Sequence, residues 1–136
     1  MEYHRGRLVD HVHLIVRDLA ASTRFYRAVL DVLGLPVGGD SADFFWADEL
    51  FISAGDSPTT RLHLAFQAKD RDAVHRFHAA ALAAGGRDNG APGERDYHPG
   101  YYGAFVLDPD GNNIEAVFHG PAHRSAASIV VTPEQS

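Results

Sequence analysis

Asp10-His11-Val12-His13-Leu14-Ile15-Val16-Arg17-Asp18-Leu19 is a β-type run that ends on a helix cap. The chain returns to it 52 residues later, in Leu62-His63-Leu64-Ala65-Phe66-Gln67-Ala68-Lys69-Asp70. At that one offset His11 falls on His63, Asp18 on Asp70 and Ala21 on Ala73. Arg24 then meets Arg76, Phe25 meets Phe77, Ala28 meets Ala80, Leu30 meets Leu82 and Gly34 meets Gly86. The matched positions are a strand start, a helix cap, a core aromatic, a core leucine and a helix stop, all without a gap. An internal duplication of a β-α-β-β-β unit explains them together.

Working outward, Asp18 caps a helix predicted from residue 19 to about 33, with Phe25, Tyr26, Val29, Leu30 and Leu33 at helical spacing and Gly34 as the stop. Asp70 caps a second through about residue 84, with Val74, Phe77, Ala81 and Leu82 on one face and Gly85-Gly86 ending it. Strands are predicted over residues 8–16, 44–46 and 50–53 in the first unit, and over 61–68, 102–107 and 113–118 in the second. Asp108-Pro109-Asp110-Gly111 is a tight-turn signal between the last two. Neither unit is large enough to bury a sheet face alone, so units at about 8–55 and 60–119 are expected to share one cleft within a single α+β domain. The tail, residues 120–136, has one apolar run at 128–131, which is expected to add a strand or to cover a dimer edge.

At 136 residues the chain is the size of one compact unit, and its 45% hydrophobic content supplies an ordinary core. No cysteine is present, which excludes disulfides, thiolate ligands and a cysteine nucleophile. A net charge of −6, with scattered arginines, argues against nucleic acid as a partner. No apolar stretch reads as a signal or a membrane span, so a cytoplasmic location and no membrane partner are expected.

Nine histidines focus attention on metal chemistry, but position has to select among them. The duplication places His11 and His63 at equivalent strand starts, where pseudo-twofold packing brings them near one axis. Glu115 lies inside the apolar strand Ile114-Glu115-Ala116-Val117-Phe118, and a buried carboxylate is costly unless it is paired or ligates a cation. A lone histidine at a strand start is ordinarily only half-exposed, and a lone strand glutamate ordinarily faces solvent. One metal site explains all three residues at once. Imidazole and carboxylate suit Fe, Mn, Zn or Ni and leave coordination positions open.

The run from Asp10 to Leu19, with Phe25-Tyr26 and Leu33-Gly34-Leu35, resembles the opening of the vicinal oxygen chelate superfamily, the glyoxalase, bleomycin-resistance and extradiol-dioxygenase group. Leu62-His63-Leu64-Ala65-Phe66 resembles the start of its second module, and Asp108-Pro109-Asp110-Gly111-Asn112-Asn113-Ile114-Glu115 its closing hairpin. The resemblance covers about residues 8 to 119. It implies paired βαβββ modules forming a cupped mixed sheet, often completed in a homodimer, with His11, His63 and Glu115 as ligands of a divalent metal. Glyoxalase I-type sites add a fourth ligand on the last strand of the first module. Here that strand is Leu50-Phe51-Ile52-Ser53, without carboxylate or imidazole, which puts methylglyoxal isomerisation in doubt.

The expected activity is therefore metal-dependent, with a small substrate chelated through adjacent oxygens. Lyase or isomerase, thiol-transferase and extradiol-dioxygenase chemistry remain open. His13, two positions after His11 and on its strand face, together with His98 and Tyr102, are the candidates for proton handling. Tyr101 and His119 are further aromatic or basic neighbours, and Tyr97 to Gly103 reads as a substrate-covering loop. Arg95 and Arg124 read either as contacts for an anionic substrate or as surface arginines. The alternative function is a non-catalytic binding protein of the bleomycin-resistance kind, holding a small molecule in the same cup.

Overall fold

The computed structural model describes residues 1–135. The elements run β1 (Val12–Val16), α1 (Leu19–Val32), β2 (Gly39–Asp40), β3 (Phe44–Ala47), β4 (Leu50–Ala54), β5 (His63–Gln67), α2 (Arg71–Ala83), β6 (Arg87–Glu94), β7 (Tyr102–Leu107) and β8 (Asn113–Phe118). They form two four-stranded sheets of identical plan, ordered β1-β4-β3-β2 and β5-β8-β7-β6. In each, the first strand is parallel to the fourth and the remaining pairs are antiparallel. The α+β class and the twofold βαβββ plan are thus as the sequence indicates.

The duplication extends to the caps. Asp18 accepts from the backbone N–H of Ala21 at 3.1 Å, and Asp70 from that of Ala73 at 2.7 Å. Each cap satisfies a donor that the first helical turn leaves open. Alternation then splits every strand between two faces. Leu14, Val16, Phe45 and Ile52 of the first sheet pack under Phe25, Tyr26, Val29 and Leu30 of α1. Ala104, Val106, Ile114 and Ala116 of the second pack under Val74, Phe77 and Ala81 of α2.

The modules are joined through α1 against α2 and through one buried carboxylate. Asp108, in the turn after β7, is 3% exposed. It accepts four hydrogen bonds, from Tyr26 Oη at 2.5 Å, the N–H groups of Asp110 and Asn112 at 2.9 Å, and Asn112 Nδ2 at 3.2 Å. Burial, then the adjacent charge of Asp108, raises the Tyr26 pKa well above its ordinary value, so the phenol keeps its proton and donates. Thr59 of the linker laces both units, bonding Ile15 through backbone and hydroxyl and accepting from Asn112 Nδ2.

Four local expectations change. The first strand begins at Val12 rather than near residue 8, because its partner β4 begins at Leu50, opposite Val12, and residues 1–10 are exposed with nothing to pair against. Strands β2 and β6 complete the βαβββ plan at residues outside the expected strands. Arg87-Asp88-Asn89-Gly90-Ala91-Pro92-Gly93-Glu94 has poor strand composition, and it pairs as a bulged edge whose register shifts twice along β7. The apolar tail run at 128–131 belongs to no strand, and Ile129, Val130 and Val131 are exposed. No helix among the described residues is long and apolar enough to cross a membrane.

Candidate functional site

Glu115 sits on β8 with Ile114 and Ala116 turned to α2, so its own side chain faces away from the helix, yet it is only 1% exposed. Three neighbours cover it. Phe105 lies opposite on β7 and Ala65 on β5. Tyr101 reaches over from the preceding loop and donates its hydroxyl to Oε2. Gly103 makes that approach possible, since a Cβ there would stand 2.9 Å from Oε2 and 3.3 Å from the Tyr101 ring. Oε1 meets His63 Nε2 at 2.8 Å, and the His63 side chain remains 53% exposed. Burial first, and then the hydrogen bond and charge of Glu115, push the Tyr101 pKa far above the phenol's ordinary value, so Tyr101 acts as a donor. An ionised carboxylate has about four acceptor sites, and protein donors fill only two of those on Glu115.

The first sheet presents the matching face differently. His13 and Ile15 of β1, Phe51 and Ser53 of β4, and Phe44 and Trp46 of β3 share it by register. His13 Nε2 is 2.7 Å from Ser53 Oγ, and the His13 ring stands edge-on to Phe51 with centroids 5.0 Å apart. Phe44 stacks on Phe51 at 5.8 Å. Trp46 lies against Gly38 and Gly39, where any Cβ would collide with the indole. His11, at the mouth, bonds Asp10 Oδ1 through Nδ1 at 2.6 Å, which leaves Nε2 presented outward. His11, His13, Trp46 and Phe51, with Asp48 and Glu49 at the rim, line a groove of about 400 Å³. Phe51, opposite His13, holds the register place that Glu115 holds opposite Ala65, so the first module carries a phenylalanine where the second carries its acid.

The proposed ligands are therefore only partly together. His63 and Glu115 touch, while His11 lies in the groove of the other sheet, and no strand of one sheet is bonded to a strand of the other. Among the described residues no three His, Asp or Glu side chains gather in a metal-binding group. The donor chemistry nevertheless fits a divalent ion. An imidazole nitrogen and a carboxylate oxygen with spare acceptor capacity face each other, and a second imidazole is oriented by a carboxylate in the manner of ligating histidines.

The remaining candidates separate by strand face. Tyr102 faces α2, where its hydroxyl meets His75 Nε2 at 2.6 Å and Arg71 covers its ring at 4.4 Å, so it does not share the cup with Glu115. Tyr101, one residue earlier, does. The signal was present in the sequence: Ala104 and Val106 are core-sized and share parity with Tyr102. His98 lies in the loop before β7 and meets His119 Nδ1 at 2.8 Å. Arg95 stands over Phe105 at 5.4 Å, bonded only to backbone carbonyls of Ala91 and Glu94. Arg124 donates to Gln67, and neither arginine is in an ion pair among the described residues.

Against known proteins, residues 8–116 match the family model of the Glyoxalase/Bleomycin resistance protein/Dioxygenase superfamily. No curated protein matches the chain. Among solved structures, a glyoxalase/bleomycin resistance protein from Albidiferax ferrireducens T118 is 32% identical, with a TM-score of 0.67 over 81% of this chain and 97% of its own. A glyoxalase/bleomycin resistance protein/dioxygenase family enzyme from Burkholderia phytofirmans PsJN is 25% identical, with a TM-score of 0.63 over 79% and 95%. A glyoxalase-related enzyme from Fulvimarina pelagi shares the fold at 23% identity, with a TM-score of 0.67 over 96% of this chain and 100% of its own.

Proposed function

Because this chain belongs to the Glyoxalase/Bleomycin resistance protein/Dioxygenase superfamily, we propose that it is a metal-dependent enzyme acting on a small substrate with adjacent oxygens. His11, His63 and Glu115 would hold the ion. The observation that carries this reading is Glu115 itself: a carboxylate 1% exposed, with half its acceptor sites unfilled, against a half-exposed imidazole.

When bound, a divalent ion supplies Lewis acidity toward the chelated oxygens. The chain's own residues do the rest. Tyr101 fixes Oε2 of Glu115 and turns Oε1 toward His63 and the open face. Asp10 bonds Nδ1 of the His11 ring and leaves Nε2 free. His13, tied to Ser53, stands beside the aromatic wall of Phe51 and Trp46 and is placed to handle a proton there. Arg95, over Phe105 and in no ion pair among the described residues, favours an anionic group on the substrate. Phe51 in place of a fourth acidic ligand argues against methylglyoxal isomerisation, whose proton transfer would need that acid.

The third ligand comes from a second copy in this reading. Both β1 and β5 are edge strands, with His11 immediately before β1 and His63 the first residue of β5. A twofold homodimer that sets β1 of one chain beside β5 of the other brings His11 to His63 and Glu115 twice. The test is complementation. His11→Ala and Glu115→Gln should each bind no zinc tightly, while a refolded one-to-one mixture should recover about half the parent's sites in its mixed dimers. No recovery in verified mixed dimers would refute the shared site.

A second reading has its own support. The shelf of Phe44, Trp46 and Phe51 with an acidic rim suits a flat or cationic ligand held without catalysis. Metal binding decides between the two, since a pure binder has no use for a buried, half-satisfied Glu115.

A further inference from the structure

His98 and His119 stand outside the proposed ligand set, and their contacts define where their hydrogens lie. His98 Nδ1 is 2.8 Å from the carbonyl oxygen of Pro99, which only accepts, so this nitrogen carries a hydrogen. His98 Nε2 faces His119 Nδ1 at 2.8 Å. The ring centroids are 5.1 Å apart and the planes are inclined by 21°. That separation is about one such bond plus two ring radii, so the rings lie end to end, as a straight N–H···N bond requires. Neutral His98 has a single N–H, already committed to Pro99. The bridging hydrogen therefore belongs to His119 Nδ1, and His119 Nε2 is left as the open lone pair.

The surroundings hold this arrangement. Gly100, at φ +89°, turns the loop onto the end of β8, where a Cβ would meet the His119 carbonyl oxygen at 3.1 Å. The Tyr101 ring stands edge-on to both imidazoles, at 5.3 Å from His98 and 5.2 Å from His119. The same Tyr101 bonds Glu115, so the pair is coupled to the cup through one side chain. His119 directly follows β8, four residues after Glu115. The charged and titratable groups around His119 are His98, Arg5, Glu115 and Tyr101. Burial, then His98 and Arg5, lower its pKa against the opposing pull of Glu115, which favours the neutral ring.

We propose that His119 is the proton-accepting side chain at the second module's end of the cup, with His98 as its positioning partner. A proton leaving a substrate O–H or C–H adds at Nε2 of His119. The Nδ1 hydrogen passes to Nε2 of His98, and the positive charge comes to rest on His98, whose Nδ1–H stays on the Pro99 carbonyl. His119 lies just past the end of β8, on the far side of the Tyr101 ring from Glu115. His119 thus serves the part of a substrate that extends past Tyr101, away from the atoms at Glu115. The inference rests on the cup being the reaction site.

Nitrogen-15 histidine NMR through long-range couplings, with zinc titration of the same samples, tests it. In the metal-free parent both His98 and His119 should be Nδ1–H tautomers. His98→Ala should turn His119 to Nε2–H and raise its titration midpoint. His98→Asn, whose amide oxygen still accepts, should restore Nδ1–H, which loss of packing alone would not do. An Nε2–H His119 in the parent, or one unchanged in His98→Ala, overturns the proposal. So does loss of zinc binding in His119→Ala, which would make His119 a ligand. A parent that binds no zinc but shows the expected tautomers removes the metal reading and supports the histidine pair.

Discussion

Asp108 and Glu115 are both buried carboxylates of the second module, both bonded by a tyrosine, and they do opposite work. Asp108 is saturated by four donors drawn from both modules, and it faces the helices. Glu115 has two donors, one of them a half-exposed histidine, and it faces the cup. Burying a charge is costly unless its acceptor sites are filled. Asp108 meets that cost within the chain and so fastens the fold. Glu115 meets it only partly, and in the proposed function the remainder is capacity for a cation. The number of donors, rather than burial, separates the structural carboxylate from the proposed ligand.

The comparison breaks most visibly at Asp108. Asp108→Ala leaves Tyr26 Oη and the N–H groups of Asp110 and Asn112 without their buried acceptor, so a loss of about 3–5 kcal/mol is expected from urea unfolding. Glu115→Gln should behave in the contrary way. The amide can still accept from Tyr101 and donate to His63, so metal-free stability should move by less than about 1 kcal/mol. Its zinc affinity, read by competition with a chelator, should fall by about a hundredfold or more, because a neutral amide replaces the charged ligand.

The two tyrosines sharpen the contrast at smaller scale. Tyr26→Phe should cost about 1–2 kcal/mol of stability and leave metal affinity alone. Tyr101→Phe should do the reverse, weakening zinc about tenfold by freeing the carboxylate it orients, with little change in unfolding. The smallest effect is expected beside the clamp, at Asp110. Its Oδ2 is buried without a partner, and burial raises its pKa above the ordinary carboxylate value. A raised carboxylate favours the fold at acid pH and disfavours it once ionised. Asp110→Asn should therefore stabilise slightly at neutral pH, with the gain disappearing as pH falls below the unfolded Asp value of about 3.8. A gain that persists at acid pH would show that the charge is not its cause.

The sequence was informative where a local rule acts alone. The repeat, both aspartate caps and the bounds of β7 and β8 follow from periodicity and turn chemistry. Strand β6 was illegible because pairing along β7, rather than the composition of Arg87–Glu94, makes it a strand. The excess of histidine divided in a way no count reveals: His75 and His78 are tied to Tyr102 and Asp88, away from the proposed ligands. Among the site residues, strand parity placed His11 with His13 and could have told Tyr101 from Tyr102. It could not say that His11 and His63 lie apart within one chain, since that depends on how two equivalent modules pack. Nor does sequence count the donors around Glu115, which depend on Gly103 lacking a side chain.

The most direct test is zinc stoichiometry of the parent, Glu115→Gln and Asp108→Asn chains, each first stripped of metal and shown to be folded. The account predicts about one tightly held ion per parent chain, none in Glu115→Gln, and the parent value in Asp108→Asn despite its lower stability. Equal zinc in the parent and Glu115→Gln would contradict it, and would leave Glu115 as a second structural carboxylate.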